Sequence, residues 1–411
     1  MAASVPAFVN PSLLIWAREE AGFAPADVPR RLKQIALAKL QAWEEGKAQP
    51  SLRQAEALAK LYDRPLSVLA LPARPQLPPL PAEYRRLPGV KPGAESPELR
   101  KSVRRLVQRR RVGLHLYAEL GDEPVDFPLR AHLREDPELV GQRLREALGI
   151  SLETQCGWPS EFAAYRVWRD AVERLGVLVC QFPGKGLGDI RGTSILHFPL
   201  PVAGISSKEL PLSKPFTLMH EVVHLALSAS DEEKPAGEEG RTDADWLKVE
   251  RFCEAAASAV LMPKDAILAD ADVMAQRRAQ TWEVAAMRRI ARRFRVTPTA
   301  VATRLLWLGV MSPREYAGWK DSWQAYRETH PDRPGFGIAT PAEKAVGRSG
   351  PLFTSLVLIA LSSERISSVD ATSYLDVGFD HVETLRKSWF AQPAALAGRS
   401  RQIERLGRGH T

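Results

Sequence analysis

The chain has 411 residues, 45% of them apolar and 26% charged, with a formal net charge of +8; that length suits about two to four domains, and the basic excess leans toward an acidic partner such as nucleic acid. Only Cys156, Cys180 and Cys253 are present, an odd and widely spaced set that excludes a disulfide framework and fits a reducing, cytoplasmic setting. The start MAASVPAFVN lacks the basic and apolar segments of a secretion signal, and no apolar run, Leu352–Leu361 included, reaches spanning length, so no membrane association is expected.

Residues 1–71 read as the first unit. Asn10 and Ser12 can open a helix over Leu13–Ala21 that Gly22 closes, and the periodicity predicts further helices over Ala26–Leu32, Ala36–Glu44, Leu52–Tyr62 and Pro65–Leu71. The segment KQIALAKLQAWEEGKAQPSLRQAEALAKLY, with Trp43-Glu44 ahead of Gly46 and Pro50 before the next helix, resembles the second half of an XRE-type helix-turn-helix. The resemblance implies a recognition helix near Ala36–Gln41 in the major groove, with Lys33, Gln34, Lys39 and Gln41 as DNA contacts and a homodimer on a two-fold operator. Pro29 falls inside the expected second helix and the recognition stretch is mostly apolar. A module that holds a protein partner or the adjacent domain therefore stays open as the other reading.

Residues 72–97, including PARPQLPPLP, read as a semi-rigid connector. Ser96 then caps a long helix through Glu119 that carries Arg100, Lys101, Arg104, Arg105, Arg109, Arg110 and Arg111. Such a run is either a solvated helix face or a phosphate-contacting one. Leu129–Leu148 and Glu161–Leu175 read as helices and Gly176–Phe182 as a short apolar strand. Leu200–Ser206 reads as another strand and as the edge that would pair with an extended substrate. Arg191-Gly192 reads as a structural element bracing a loop.

Phe216–Ser230, FTLMHEVVHLALSAS, predicts a helix with His220 and His224 one turn apart on one side, the placement that holds a single metal ion. Glu221 beside them is not a ligand in such a motif; it stands close enough to take a proton from water activated by the ion. Two His and one Glu at this spacing arise by accident in roughly one chain in 100, so the apolar flanks matter: Leu218, Met219, Val222, Val223, Leu225, Ala226 and Leu227 would bury the trio, where unpartnered polar groups are costly. A third ligand is needed. Trp246–Pro263, WLKVERFCEAAASAVLMP, predicts a return helix with Glu250 and Glu254 four apart on one face, and from spacing alone either one can serve. Between the helices, Asp231–Asp245 is acidic and reads as an exposed loop, a lid or substrate-facing rim.

HEVVH followed by VERFCEAAASAVLMP resembles the ImmA/IrrE family of metallopeptidases. The resemblance implies that His220, His224 and Glu250 bind zinc, that Glu221 is the catalytic base, and that Glu254, at the family's usual Asn position, is an additional ligand or a neighbour of the ligands. Manganese or iron suits two histidines and a carboxylate as well. It further implies a protein substrate, a helix-turn-helix repressor or antitoxin-like regulator, whose cleavage releases its target genes.

Beyond Pro263, WEVAAMRRIARRFRVTPTAVATRLLWLGV has helix-turn-helix spacing, with Arg288, Arg289, Arg292, Arg293 and Arg295 ahead of the turn; these would contact nucleic acid or coat an amphipathic helix. The expected whole is mainly α (α+β): an XRE-like unit to residue 71, a zincin-like metallopeptidase domain with a small β-sheet over 98–275, a helix-turn-helix-like unit over 276–325, and a small helical unit with a basic tail over 326–411. The reading from another class is a DNA-binding regulator whose zincin-like domain is sensory rather than proteolytic.

Overall fold

Strong end signals divide the N-terminal region into five short helices: α1 (Pro11–Glu20), α2 (Asp27–Arg31), α3 (Leu37–Glu44), α4 (Leu52–Tyr62) and α5 (Leu66–Leu69). Asn10 caps α1, and Ser51 with Gln54 forms a capping box on α4, which Asp63 ends in the left-handed region at φ 57°. Leu13, Leu14, Leu40, Leu58 and Tyr62 fill a core belonging to this module alone. The nearly buried Arg18–Glu44 pair, 2.7 Å apart, ties α1 to α3. The computed structural model describes residues 5–75, 95–184, 190–235, 238, 240–279, 281–330 and 340–390; most of the expected connector and the basic tail lie outside them. The described chain is 63% helix and 5% strand, as a mainly α reading requires.

Next comes α6 (Pro97–Glu119), capped by Ser96. Much of its basic run is engaged within the chain. Arg100 donates to the carbonyls of Glu19 and Glu20 at the C-terminus of α1, and Arg104 to that of Glu20, where the helix dipole favours cations. Lys101, Arg105 and Arg104 surround Asp63 at 3.1, 3.7 and 4.0 Å. Arg110 donates to the Pro199 carbonyl at 2.9 Å. The run binds the N-terminal module to the rest of the chain.

The helix expected over Leu129–Leu148 is shorter: α7 spans Pro137–Leu148, capped by Asp136. The residue before a proline is steered out of the helical region, and the preceding segment docks as a loop, the Ala131 N–H donating to the Ala226 carbonyl. There follow α8 (Leu152–Cys156), α9 (Glu161–Arg174), β1 (Leu178–Phe182), β2 (Gly192–Ile195) and β3 (Val202–Ser206). The sheet order is β1-β3-β2. β1 runs parallel to β3, with Leu178 opposite Val202, and β2 antiparallel, with Gly192 opposite Ile205. β3, expected at the edge, is therefore central and paired on both sides, with β1 and β2 as the two edges of the sheet.

The remaining helices are α10 (Lys214–Ser228), α11 (Asp243–Leu261), α12 (Lys264–Leu268), α13 (Ala271–Ala279), α14 (Val284–Phe294), α15 (Pro298–Trp307), α16 (Pro313–Thr329), α17 (Pro341–Ser349), α18 (Pro351–Ser362), α19 (Ser368–Leu375) and α20 (Phe379–Phe390). Both faces of the sheet are covered, which is why every residue of β2 and β3 is buried. On one face Val179, Ala203 and Ile205 join a core with α7, α9, α10, α11, α14 and α15. On the other, Leu178, Cys180, Phe182 and Val202 pack against α6 and α17–α19. Of the five arginines of α14 and its cap, Arg289 and Arg293 pair with Asp270 and Asp272, Arg295 donates to the Trp158 carbonyl, and Arg288 donates to the Tyr326 hydroxyl. Among the described residues no single helix is long and apolar enough to cross a membrane.

Candidate metal centre

The α10 helix is apolar nearly all round, and Leu218, Val222, Val223, Leu225 and Leu227 have no exposed surface. This burial fixes its rotation. His220 and His224 then face α11, whose Val249, Cys253, Ala256 and Ala257 pack against it in the same core and which delivers Glu250 between the two rings. The Nε2 atoms of the histidines are 3.0 Å apart. The carboxylate oxygens of Glu250 lie 3.2 Å from His220 Nε2 and 3.4 Å from His224 Nε2. Three ligands bound tetrahedrally at about 2.0–2.1 Å would be about 3.3 Å from one another; the two histidine nitrogens and the two Glu250 oxygens, one toward each ring, lie close to that spacing. No other group of three or more His, Cys, Asp or Glu donors converges in this way among the described residues.

Glu221 is 1% exposed. Its carboxylate accepts from the Ser194 hydroxyl at 2.5 Å and lies so close to the Cα of Gly192 that a Cβ there would stand 2.3 Å from Oε1. Both contacts come from β2, so the edge strand holds the candidate base. Glu254, one turn beyond Glu250, is not among the converging donors. Partial desolvation raises its carboxyl above the ordinary value against the pull of His220. Arg191 is exposed, 3.8 Å from Glu209, and its carbonyl accepts from the Ser206 N–H at 2.7 Å, which continues the β2–β3 ladder. Lys33 and Gln34 sit in the turn before α3 and Lys39 and Gln41 on it, all four exposed.

The acidic loop is where the structure departs most from the sequence reading. Glu233 points inward, not outward. Its side chain has no exposed surface and its Oε2 is 2.6 Å from His224 Nδ1. The neighbouring Glu232 meets His132 Nδ1 at 3.0 Å, Trp246 stacks on the His224 ring with centroids 6.2 Å apart, and Cys253 Sγ lies 3.6 Å from His224 Nδ1. A ligating histidine wants a partner on its second nitrogen, and that requirement is the one signal that could have picked Glu233 out of a charged run.

Helix-borne histidines one turn apart, a carboxylate from the return helix, a glutamate after the first histidine and a strand edge alongside together make a zincin-like site. Residues 172–306 match the Peptidase M78 family model, described as the IrrE N-terminal-like domain, a stretch that takes in the sheet, α10, α11 and the helices through most of α15. The match supports a peptidase of the ImmA/IrrE family. A search of curated proteins found no match to the chain.

Proposed function

We propose that this protein is a metal-dependent endopeptidase, most simply a zinc enzyme, that cuts a helix-turn-helix repressor or antitoxin-like regulator and so releases its target genes. The observation that carries the reading is the convergence of His220, His224 and Glu250, whose nearest ligand atoms are 3.0, 3.2 and 3.4 Å apart pair by pair, inside a segment matching a peptidase family. His220, His224 and Glu250 hold the ion, and manganese or iron fits the same donors. When bound, the ion supplies Lewis acidity toward a carbonyl and a water. Glu221 takes the water's proton on a carboxylate oxygen and delivers it to the leaving amine. The absence of a disulfide among Cys156, Cys180 and Cys253 accords with a reducing, cytoplasmic location. The exposed Lys33, Gln34, Lys39 and Gln41 support a role for the N-terminal module in bringing the peptidase to the operator or to the repressor.

The test compares cells producing wild-type or Glu221→Gln protein by quantitative N-terminal proteomics, with metal content of both purified proteins measured alongside. The expected outcome is a new N-terminus inside a helix-turn-helix regulator in wild-type cells alone, with equal metal in both proteins. A new terminus in an unrelated protein would sink the substrate assignment and keep the peptidase. Identical terminal profiles would leave a DNA-binding regulator on a non-proteolytic domain.

A further inference from the structure

We propose that Glu233 is a positioning residue for the metal centre: it sets the tautomer and orientation of His224 from the side away from the ligand cluster. The inference rests on the metal-site reading above and adds to it a residue from outside the ligand and base motifs. The backbone explains how a charged loop puts a carboxylate there. After α10, the Asp231 N–H returns to the Ser228 carbonyl and the Glu232 N–H to the Leu227 carbonyl, both at 3.0 Å, while Asp231 itself takes φ 57°. This reversal, usually built on glycine, folds the chain back along its own helix. Glu232 is then pinned by His132, and Glu233 reaches His224.

The chemistry follows from the pairing. With Glu233 ionised, its carboxylate only accepts hydrogen bonds, and the Oε2 to His224 Nδ1 distance of 2.6 Å then assigns the imidazole proton to Nδ1. The lone pair is left on Nε2, the atom that faces His220 and Glu250. Both side chains have no exposed surface, so bulk water does not reach the pair. Trp246 against the ring face restricts its rotation. The negative charge raises the basicity of the ligating nitrogen, the effect by which such outer carboxylates strengthen metal binding.

The experiment uses full-length protein stripped of metal, as wild type, Glu233→Gln and Glu233→Ala. Zn2+ affinity is measured by competition with a chromophoric chelator, Co2+ binding by its visible absorption, and thermal unfolding on the metal-free forms. Wild type is expected to bind one ion. Glu233→Ala is expected to bind Zn2+ about 10–100-fold more weakly and to give an altered Co2+ spectrum. Glu233→Gln, whose amide oxygen still accepts from Nδ1–H, is expected to keep the spectrum and lose less affinity. If the alanine variant unfolds earlier yet binds Zn2+ and Co2+ as wild type does, Glu233 merely braces the loop and the inference fails while the metal site stands. Should the alanine variant not fold, Glu233→Met decides, since it fills the same space and offers Nδ1–H no oxygen acceptor: wild-type Zn2+ affinity and an unchanged Co2+ spectrum in it overturn the inference. A wild type that takes up neither ion overturns the metal-site reading, and the role of Glu233 falls with it.

Discussion

Gly192 occupies the point where the edge strand and the helix of the candidate base come closest. A Cβ there would stand 2.3 Å from Glu221 Oε1 and 2.7 Å from Thr217 Cγ2, nearer than side-chain atoms pack, and the neighbours are buried. Gly192→Ala must therefore displace the Glu221 carboxylate or part β2 from α10. Overpacking of this kind costs about 1–3 kcal/mol. The expected result is a lower unfolding temperature together with loss of cleavage of the regulator, once that is in hand. A variant as stable and active as wild type would mean that the strand relaxes freely, and that β2 does not hold the base.

At the scale of the element, the first turn of α10 carries a titration that can be predicted in sign. Glu209 lies against it, accepting from Thr217 Oγ1 at 2.5 Å with its side chain 7% exposed. Burial raises its carboxyl above the ordinary 4.5, although Thr217, Arg191 and Lys214 pull the other way. The folded state then binds the proton more tightly than the unfolded chain. Stability is greatest below the unfolded value and falls as pH rises from there through the raised one. Glu209→Gln lacks this group, so the difference in unfolding temperature between variant and wild type should widen as pH climbs through that window and level off above it. A difference independent of pH refutes the assignment.

The same elements explain what could be read from sequence. The α4 helix has the expected bounds, Leu52–Tyr62, because a capping box opens it and a left-handed residue closes it, both local signals. Helical spacing put the two histidines on one side, but it left Glu250 and Glu254 equally open, and only the family resemblance favoured Glu250. β2 was not legible, since GTSI has one large apolar residue and is a strand only because β3 and α10 bury it. β3 looked like an edge because its apolar run says that it is buried and not by what. Glu233 was hidden by its charged neighbours and by a helix reversal built on Asp231, where no glycine marks the turn.

For the whole molecule, the question is what the excess of positive charge does. Read as composition, it pointed to an acidic partner; in the structure many of the basic side chains of the two arginine-rich runs are held by groups of the chain itself. Arg289 and Arg293 are paired with Asp270 and Asp272, and the basic face of α6 grips the N-terminal module. Besides the bonds of Arg100 and Arg104 to the Glu19 and Glu20 carbonyls and the Arg31–Glu98 pair, one carboxylate, Asp63, gathers Lys101, Arg105 and Arg104 at 3.1, 3.7 and 4.0 Å. Arg104 is 7% exposed, and burial drives its guanidinium down to about 10, so it relies on the anion more than its exposed neighbours do. Asp63→Asn removes the charge while keeping a residue that tolerates the left-handed backbone. Breaking a fully buried pair costs about 3–5 kcal/mol, and because Lys101 and Arg105 are over one-third exposed the loss here should be smaller, about 1–3 kcal/mol. The module has its own core, so the loss should appear as earlier release and unfolding of α1–α5, followed by hydrogen exchange, with the core around α10 and α11 unchanged. Added salt should shrink the difference between the proteins, because it screens the partly exposed pairs in wild type. If α1–α5 exchange at the same rate in both, the ion pairs to Asp63 do not hold the module, and the contacts of Arg100 and Arg104 with Glu19 and Glu20 and the Arg31–Glu98 pair suffice.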